Sequence, residues 1–93
     1  MKALNRRLGV LISGRGSNLQ AIIDAISNRQ LDATIGVVIS NRAKADGLGR
    51  ARDAGIEAIY LDHRSHGDRE TYDRMLVSEL QARGVGLVCR LLL

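Results

Sequence analysis

The sequence predicts an α/β fold in which an open parallel β-sheet lies between two layers of helices. Patterns typical of strands and helices alternate in the order β-α-β-α-β-α-β, with short joints between them. The first strand pattern, residues 7–13, is an almost unbroken apolar run, as expected for a parallel strand buried on both faces. This alternation favours right-handed crossovers between parallel strands. Because no linker interrupts it, we expect residues 1–93 to form one small domain.

The first helix is predicted to begin at Ser17, directly after a turn that contains two glycines. Four apolar side chains follow at helical spacing: Leu19, Ile22, Ile23 and Ile26. Ser17 and Gln20 have the spacing of a capping box, in which each side chain bonds a backbone N–H at the start of the helix. The pattern therefore predicts that the Ser17 side chain caps this helix.

The middle of the chain contains two strand patterns separated by a weaker helix pattern. Residues 34–40 are β-branched and apolar, and residues 56–61 alternate as a third strand. Between them, residues 43–55 form a helix pattern that Gly47 and Gly49 weaken and Gly55 ends.

The last helix and strand follow a polar loop. Residues 68–83 form an amphipathic pattern, on which Glu70 and Arg74 make an i,i+4 ion pair. Gly84 ends this helix, and residues 85–89 begin a fourth strand. With the strand order 3-2-1-4, we expect the fourth strand to lie at an edge of the sheet, where an apolar strand is prone to pair with another chain.

Composition excludes several classes of site. Cys89 is the only cysteine, so neither an intrachain disulfide nor a cysteine metal cluster is possible, and we interpret it as a small apolar strand residue. His63 and His66 lack further ligands at metal spacing and are expected in a surface loop, so no metal is predicted. Apolar runs are too short to span a bilayer, so we expect a cytoplasmic protein without a membrane partner.

The net charge of +4 is concentrated in the first half of the chain, since residues 1–50 contain eight basic and three acidic residues. Nucleic acid is not the partner that this pattern favours, because no aromatic residues are interleaved and no dense basic run is present. A few arginines near a helix N-terminus would equally suit a small phosphorylated ligand.

The turn "SGRGSN", residues 13–18, is the best candidate for that ligand. It follows the first strand, at whose carboxyl end open parallel sheets bind ligands. We expect Gly14 and Gly16 to allow backbone angles and a close approach that a β-carbon would block. The helix start offers free N–H groups and a positive dipole end, and Ser17 and Asn18 add polar groups at the rim. The turn therefore predicts a phosphate site.

The residues around the turn leave more than one phosphate ligand open. A Walker loop would require a lysine after its last glycine, and none is present. A dinucleotide fingerprint would require a third glycine where Leu19 stands, and an acid near Ser40, which Asn41 and Arg42 follow instead. NAD is disfavoured, whereas Arg42 could meet the 2′-phosphate of NADP. An NADP-dependent oxidoreductase domain and a non-catalytic phosphate-binding module are therefore alternatives.

Three stretches carry a resemblance to a known family. In order and spacing, "VLISGRGSNLQAIIDAI", "VVISNRAKADGLGRARDAGI" and "DRETYDRMLVSEL" resemble the N-terminal half of the folate-dependent phosphoribosylglycinamide formyltransferases (glycinamide ribonucleotide transformylases). The resemblance implies a Rossmann-like fold, here truncated to about four strands and three helices, within a nucleotide-binding domain over residues 1–93. It also implies transfer of a formyl group from 10-formyltetrahydrofolate to the amine of 5-phosphoribosylglycinamide, a step of purine biosynthesis.

The family's site residues carry over only where the motifs match. Gly16, Ser17 and Asn18 match the turn that holds the ribonucleotide phosphate, and Arg69 matches a position on the folate side. The catalytic asparagine, histidine and aspartate of the family lie beyond residue 93, so no catalytic residue is assigned and we expect the 93-residue chain alone to have no turnover. Residues 90–93 receive no folate contact, and the oligomeric state is left open.

Overall fold

Strands and helices alternate along the chain, as the sequence predicts. The computed structural model describes residues 5–62 and 68–91, so the predicted loop positions of His63 and His66 lie outside the described residues. The elements are β1 (Arg7–Ile12), α1 (Ser17–Ser27), β2 (Thr34–Ser40), α2 (Asp46–Asp53), β3 (Ala58–Tyr60), α3 (Arg69–Ala82) and β4 (Leu87–Leu91). No helix within these two segments combines the length and apolar character needed to cross a membrane.

The four strands described form one parallel sheet in the order β3-β2-β1-β4, which confirms the predicted order. β1 is central, and its Val10 pairs with Val38 of β2 on one side and with Cys89 of β4 on the other. Cys89 is a free, half-buried strand residue, as predicted. β4 forms one edge of the described sheet, where Leu87 and Val88 are exposed.

Successive residues of the central strands face opposite layers of helices. The cluster shared with α1 and α2 consists of Val10, Ile12, Leu19, Val38, Leu48 and Ala51. The cluster shared with α3 consists of Leu11, Val37, Ile39, Leu61, Leu76 and Leu80. Because both faces of β1 and β2 are covered, their buried stretches, residues 10–12 and 37–39, are unbroken apolar runs. The structure is thus the predicted three-layer arrangement.

Element boundaries differ from the predicted ones where tertiary contacts decide them. α2 is shorter than the predicted helix over residues 43–55, and Gly55 follows its end with a φ of 75°. β4 begins at Leu87 rather than at Val85, because the Val85 N–H donates to the carbonyl of Leu80 at the end of α3, at 3.2 Å. α3 begins after Asp68, whose carboxylate accepts a hydrogen bond of 2.8 Å from the Thr71 N–H. This hydrogen bond also holds the pKa of the Asp68 carboxyl below its usual range.

α2 packs against the β1–α1 turn through two glycines. A β-carbon on Gly16 would lie 2.5 Å from the Cα of Gly47, and one on Gly47 would lie 2.4 Å from the Cδ1 of Ile12. Gly49, one position further along the same helix, has nothing within 4 Å of its β-carbon direction among the described residues. Gly47, which weakens the helix pattern in sequence, therefore leaves room for the end of the Ile12 side chain where α2 contacts the turn.

An arginine joins elements at the amino edge of the sheet, the side on which the parallel strands begin. Arg83, the C-cap of α3, donates through Nη2 to Glu57 Oε2 at 2.7 Å and through Nη1 to Glu79 Oε2 at 2.6 Å. Its carbonyl accepts from the Arg7 Nε at 2.5 Å. The bonds to Glu57 and Glu79 raise the pKa of Arg83, and the bond from Arg83 lowers the pKa of Glu57. The end of α3 is thereby tied to β1 and to the segment before β3.

The two glycines of α2 give a matched pair of variants. Gly49→Ala raises the free energy of unfolding by about 1 kcal/mol, because alanine favours the helix and meets no neighbour. Gly47→Ala lowers it by about 1–3 kcal/mol, because the added methyl group overpacks Ile12 and Gly16. Urea denaturation of the two variants measures both changes. A Gly47→Ala variant as stable as Gly49→Ala would refute the close packing.

The ion pair of Glu57 makes stability depend on pH. A carboxyl whose pKa is lower in the folded than in the unfolded chain stabilises the fold above its unfolded pKa, and this contribution is lost as the pH falls through the folded pKa. We therefore expect Glu57→Gln to be less stable than wild type at pH 7, and the difference to shrink as the pH falls below about 4, the usual range of a glutamate pKa. Thermal melts across this range test it, and a constant offset at every pH would contradict it.

Candidate functional site

The chain leaves the central strand β1 and enters α1 through a turn capped by a glycine. Gly16 is the N-cap residue, with φ 79° and ψ 23° in the left-handed region, and its carbonyl accepts from the Gln20 N–H at 2.8 Å. The predicted capping box is wrong. Ser17 is the first residue of the helix rather than its cap, and the Gln20 side chain donates to Asp24 Oδ1 at 3.0 Å. The backbone of Gly16 thus starts the helix.

The start of α1 presents a set of hydrogen-bond donors. Gln20 donates the first helical hydrogen bond, so helix geometry leaves the N–H groups of Ser17, Asn18 and Leu19 without a partner inside the helix. The positive end of the helix dipole lies at the same place. The first turn of α1, all of which the structure describes, carries no acidic side chain that would repel an anion. This end of the helix therefore suits a phosphate or another small anion.

The donors border a cavity of about 400 Å³ at the carboxyl end of β1. Its wall is formed by residues 14–19, with Ile12 and Leu91 at the ends of the neighbouring strands β1 and β4. Ser17 and Asn18 are exposed at the cavity, whereas Leu19 is fully buried beneath it. The structure thus brings the three predicted phosphate-binding residues, Gly16 among them, into one site.

The two glycines of the turn are needed for different reasons. Gly16 requires its positive φ and its close approach to Gly47, as predicted. For Gly14 the prediction is wrong: its φ is not positive, and no described atom lies within 4 Å of the place that a β-carbon would take. The fold itself would accept a larger residue at position 14. A glycine there leaves open space next to the cavity.

Arg69 lies outside this cavity. It is the first residue of α3, on the opposite face of the sheet from α1, and its side chain is 89% exposed. Its Nε lies 4.0 Å from Asp73 Oδ2, a loose contact on the surface of the helix. Because α3 starts on the side where the strands end, Arg69 and the turn share the carboxyl edge of the sheet. The structure does not bring Arg69 into contact with the turn.

The segment after β2 lies beside the site. Ser40 is fully buried, and its hydroxyl accepts from the Arg42 N–H at 2.9 Å and donates to the Arg42 carbonyl at 2.8 Å. The Asn41 N–H donates to the carbonyl of Ile12 at 3.4 Å. The Arg42 residue remains exposed. These bonds fix the end of β2 against the end of β1, next to the cavity.

Sequence reasoning missed the residues of α2 that contact the turn. The Gly47 N–H donates to the Gly14 carbonyl at 3.3 Å, and the Arg50 Nε donates to the Arg15 carbonyl at 2.9 Å. The only signal in the sequence was a glycine in the first turn of a helix, which reads as a weak helix until its neighbour is known.

No group of three or more histidine, cysteine, aspartate or glutamate side chains that could hold a metal ion occurs in the part of the chain that the structure describes. The polar groups of the residues that line the cavity are backbone N–H groups and carbonyls, the Arg15 guanidinium, the Ser17 hydroxyl and the Asn18 carboxamide. Such donors bind and orient an anion, and they include no group suited to general acid or base catalysis near pH 7.

Comparison with known proteins supports the family predicted from the motifs. A family model described as formyl transferase matches residues 6–91. The phosphoribosylglycinamide formyltransferase of Escherichia coli (strain K12) is 52% identical over 71 residues, which are 76% of this chain and 34% of that protein. The trifunctional purine biosynthetic protein adenosine-3 of Drosophila melanogaster is 45% identical over 86 residues, which are 90% of this chain and 6% of that protein.

A solved structure agrees in fold as well as in sequence. Glycinamide ribonucleotide transformylase 1 from Symbiobacterium toebii superposes with a TM-score of 0.91 at 46% identity, covering 96% of this chain and 42% of that chain. This chain thus spans less than half the length of these relatives. The predicted resemblance and the Rossmann-like fold are confirmed, and the chain belongs to the formyl transferase family.

Proposed function

We propose that this chain is the phosphate-binding part of a phosphoribosylglycinamide formyltransferase of purine biosynthesis. In that reaction the amine of 5-phosphoribosylglycinamide attacks the formyl carbon of 10-formyltetrahydrofolate. A new C–N bond forms, the bond from the formyl carbon to the folate nitrogen breaks, and a proton passes from the amine to that nitrogen. Residues 1–93 supply part of one nucleotide-binding α/β domain, and their task is to hold the acceptor by its phosphate.

The observation that carries this proposal is the cavity at the start of α1. A phosphate monoester carries close to two negative charges at pH 7 and accepts several hydrogen bonds. The N–H groups at the start of the helix, the Ser17 hydroxyl and the Asn18 carboxamide are donors of the required kind, grouped around one cavity. Gly14 leaves room beside them. Anchoring the phosphate at one end fixes the ribose and directs the distant amine toward the formyl donor.

Arg69 is proposed to lie on the folate side. Its guanidinium is almost fully exposed, and its contact with Asp73 is too long to be a strong ion pair, so it remains available for an anionic or polar group of the folate. It sits at the carboxyl edge of the sheet in a different layer from α1. The proposal therefore assigns the phosphate and the folate to separate elements at the same edge.

The chemical step requires groups that we assign to the rest of a full-length family member. The turn has donors but no group suited to proton transfer, so this part of the domain binds and orients without transferring the proton. Leu19 argues against the dinucleotide alternative. It is fully buried at the place where a dinucleotide fingerprint has a third glycine.

Binding of a phosphorylated acceptor tests the proposed function. Isothermal titration of the 93-residue chain with 5-phosphoribosylglycinamide is expected to show binding that is lost with the dephosphorylated compound, because the N–H groups of the turn recognise the phosphate. A separate titration with NADPH tests the alternative of an NADP-dependent oxidoreductase domain. Equal binding of both forms of the acceptor, or binding of NADPH alone, would contradict the proposal.

Asn18→Asp separates binding from folding. The substitution keeps the size of the side chain and places a negative charge in the first turn of α1, where it stabilises the helix by about 0.3–1 kcal/mol. The same charge repels a phosphate, so we expect affinity for 5-phosphoribosylglycinamide to fall at least about tenfold.

Gln30→Glu is the matched control, because it adds the same charge at an exposed position beyond the other end of α1. Its affinity is expected to equal that of wild type. Titration calorimetry and thermal melts of both variants give the two readouts. An Asn18→Asp variant that binds as tightly as Gln30→Glu would show that the phosphate does not sit at the start of α1.

A further inference from the structure

We infer that Arg50 of α2 is a positioning residue that sets the direction of the Gly16 backbone N–H in the phosphate-binding turn. This inference rests on the proposed function, since it concerns how the same site is shaped. The Arg50 Nε donates to the Arg15 carbonyl at 2.9 Å, and its Nη1 lies 3.4 Å from the Gln20 Oε1. Arg50 is half-buried against the turn, with the Cδ of its side chain next to Gly16.

Peptide planarity links this hydrogen bond to the anion site. In a trans peptide the C=O and the following N–H point in opposite directions. Because Arg50 holds the Arg15 carbonyl toward α2, the N–H of Gly16 must point away from α2. If the Arg15–Gly16 peptide rotated, its carbonyl oxygen would take the direction that the Gly16 N–H has in this structure. A partial negative charge would then stand where an anion needs a donor.

The neighbouring peptides are held in the same manner. The Gly14 carbonyl accepts from the Gly47 N–H at 3.3 Å, which directs the Arg15 N–H away from α2. The Gly16 carbonyl accepts from the Gln20 N–H at 2.8 Å, which directs the Ser17 N–H out of the start of α1. Each of the three consecutive carbonyls of the turn therefore has a donor. Arg50 supplies the only one of these three donors that belongs to a side chain.

The geometry favours arginine over any other cation. The guanidinium is planar, and its Nε and Nη1 reach acceptors on the turn and on α1 at once. A lysine would keep the positive charge near the site but would lack the fixed pair of donors. Charge and positioning are therefore separable: a purely electrostatic role would survive Arg50→Lys, whereas a positioning role would not.

The test compares Arg50→Lys and Arg50→Met with wild type, and uses Arg52→Met as the control. Arg52 is exposed on the same helix, and Arg52→Met removes the same positive charge as Arg50→Met. The first readout needs no ligand: NMR relaxation dispersion on the amides of residues 14–18. We expect exchange broadening in both Arg50 variants and none in wild type or Arg52→Met, because the Arg15–Gly16 peptide can then rotate.

The second readout is the dissociation constant for inorganic phosphate. We expect it to rise about tenfold in both Arg50 variants and to stay unchanged in Arg52→Met. Wild-type affinity in Arg50→Lys, or turn amides as rigid in Arg50→Met as in wild type, would overturn the inference. If wild type itself binds no phosphate, the proposed function fails, while the relaxation data still decide whether Arg50 positions the turn.

Discussion

The contact between Gly16 and Gly47 is the constraint on which the candidate site depends. Gly16 is the N-cap of α1, and Gly47 lies in the first turn of α2. A β-carbon on Gly16 would lie 2.5 Å from the Cα of Gly47, so the backbone of α2 leaves no room for a side chain at position 16. This approach brings the first turn of α2 within hydrogen-bond reach of the β1–α1 turn. The Gly47 N–H and the Arg50 Nε both donate to carbonyls of the turn at this contact.

The sheet supports this contact, and the carboxyl and amino edges of the sheet, where the strands end and begin, have different roles. At the carboxyl edge the central strand β1 ends in the glycine turn, where polar side chains and N–H groups without a partner inside α1 border a cavity. At the amino edge, Arg83 joins α3 to Glu57 and to Arg7 through hydrogen bonds and ion pairs. Stability contributed by these contacts does not occupy groups that the cavity needs. The N–H groups at the start of α1 can therefore remain available to a ligand.

Much of this arrangement could be predicted from the sequence. The apolar runs and the helical spacing after Ser17 gave the element order and the sheet topology, because burial on both faces of a parallel strand leaves a strong pattern. The place of the turn followed from its position after the first strand. The capping box at Ser17 and Gln20 could not be settled by spacing, since a left-handed Gly16 is an equally good start for a helix.

The part of the site that could not be predicted from the sequence consists of contacts between residues far apart in the chain. Arg50 reads as a surface charge on a weak helix, and Gly47 as a defect in it, until α2 is placed against the turn. Gly14 shows the converse error, since the sequence suggests a backbone need that the fold does not have. Local pattern locates the elements and the anion-binding turn, whereas the close approach that shapes the turn appears only in three dimensions.

The most direct test of the account is an NMR titration of the 15N-labelled 93-residue chain with inorganic phosphate. A phosphate site at this turn predicts saturable shifts that are largest for the amides of Gly16, Ser17 and Asn18, because hydrogen bonds to the anion form there. Gly84, which lies at the opposite edge of the sheet, is expected to shift little. Largest shifts elsewhere, or no saturable shift at the turn, would contradict the claim that this turn is a phosphate site.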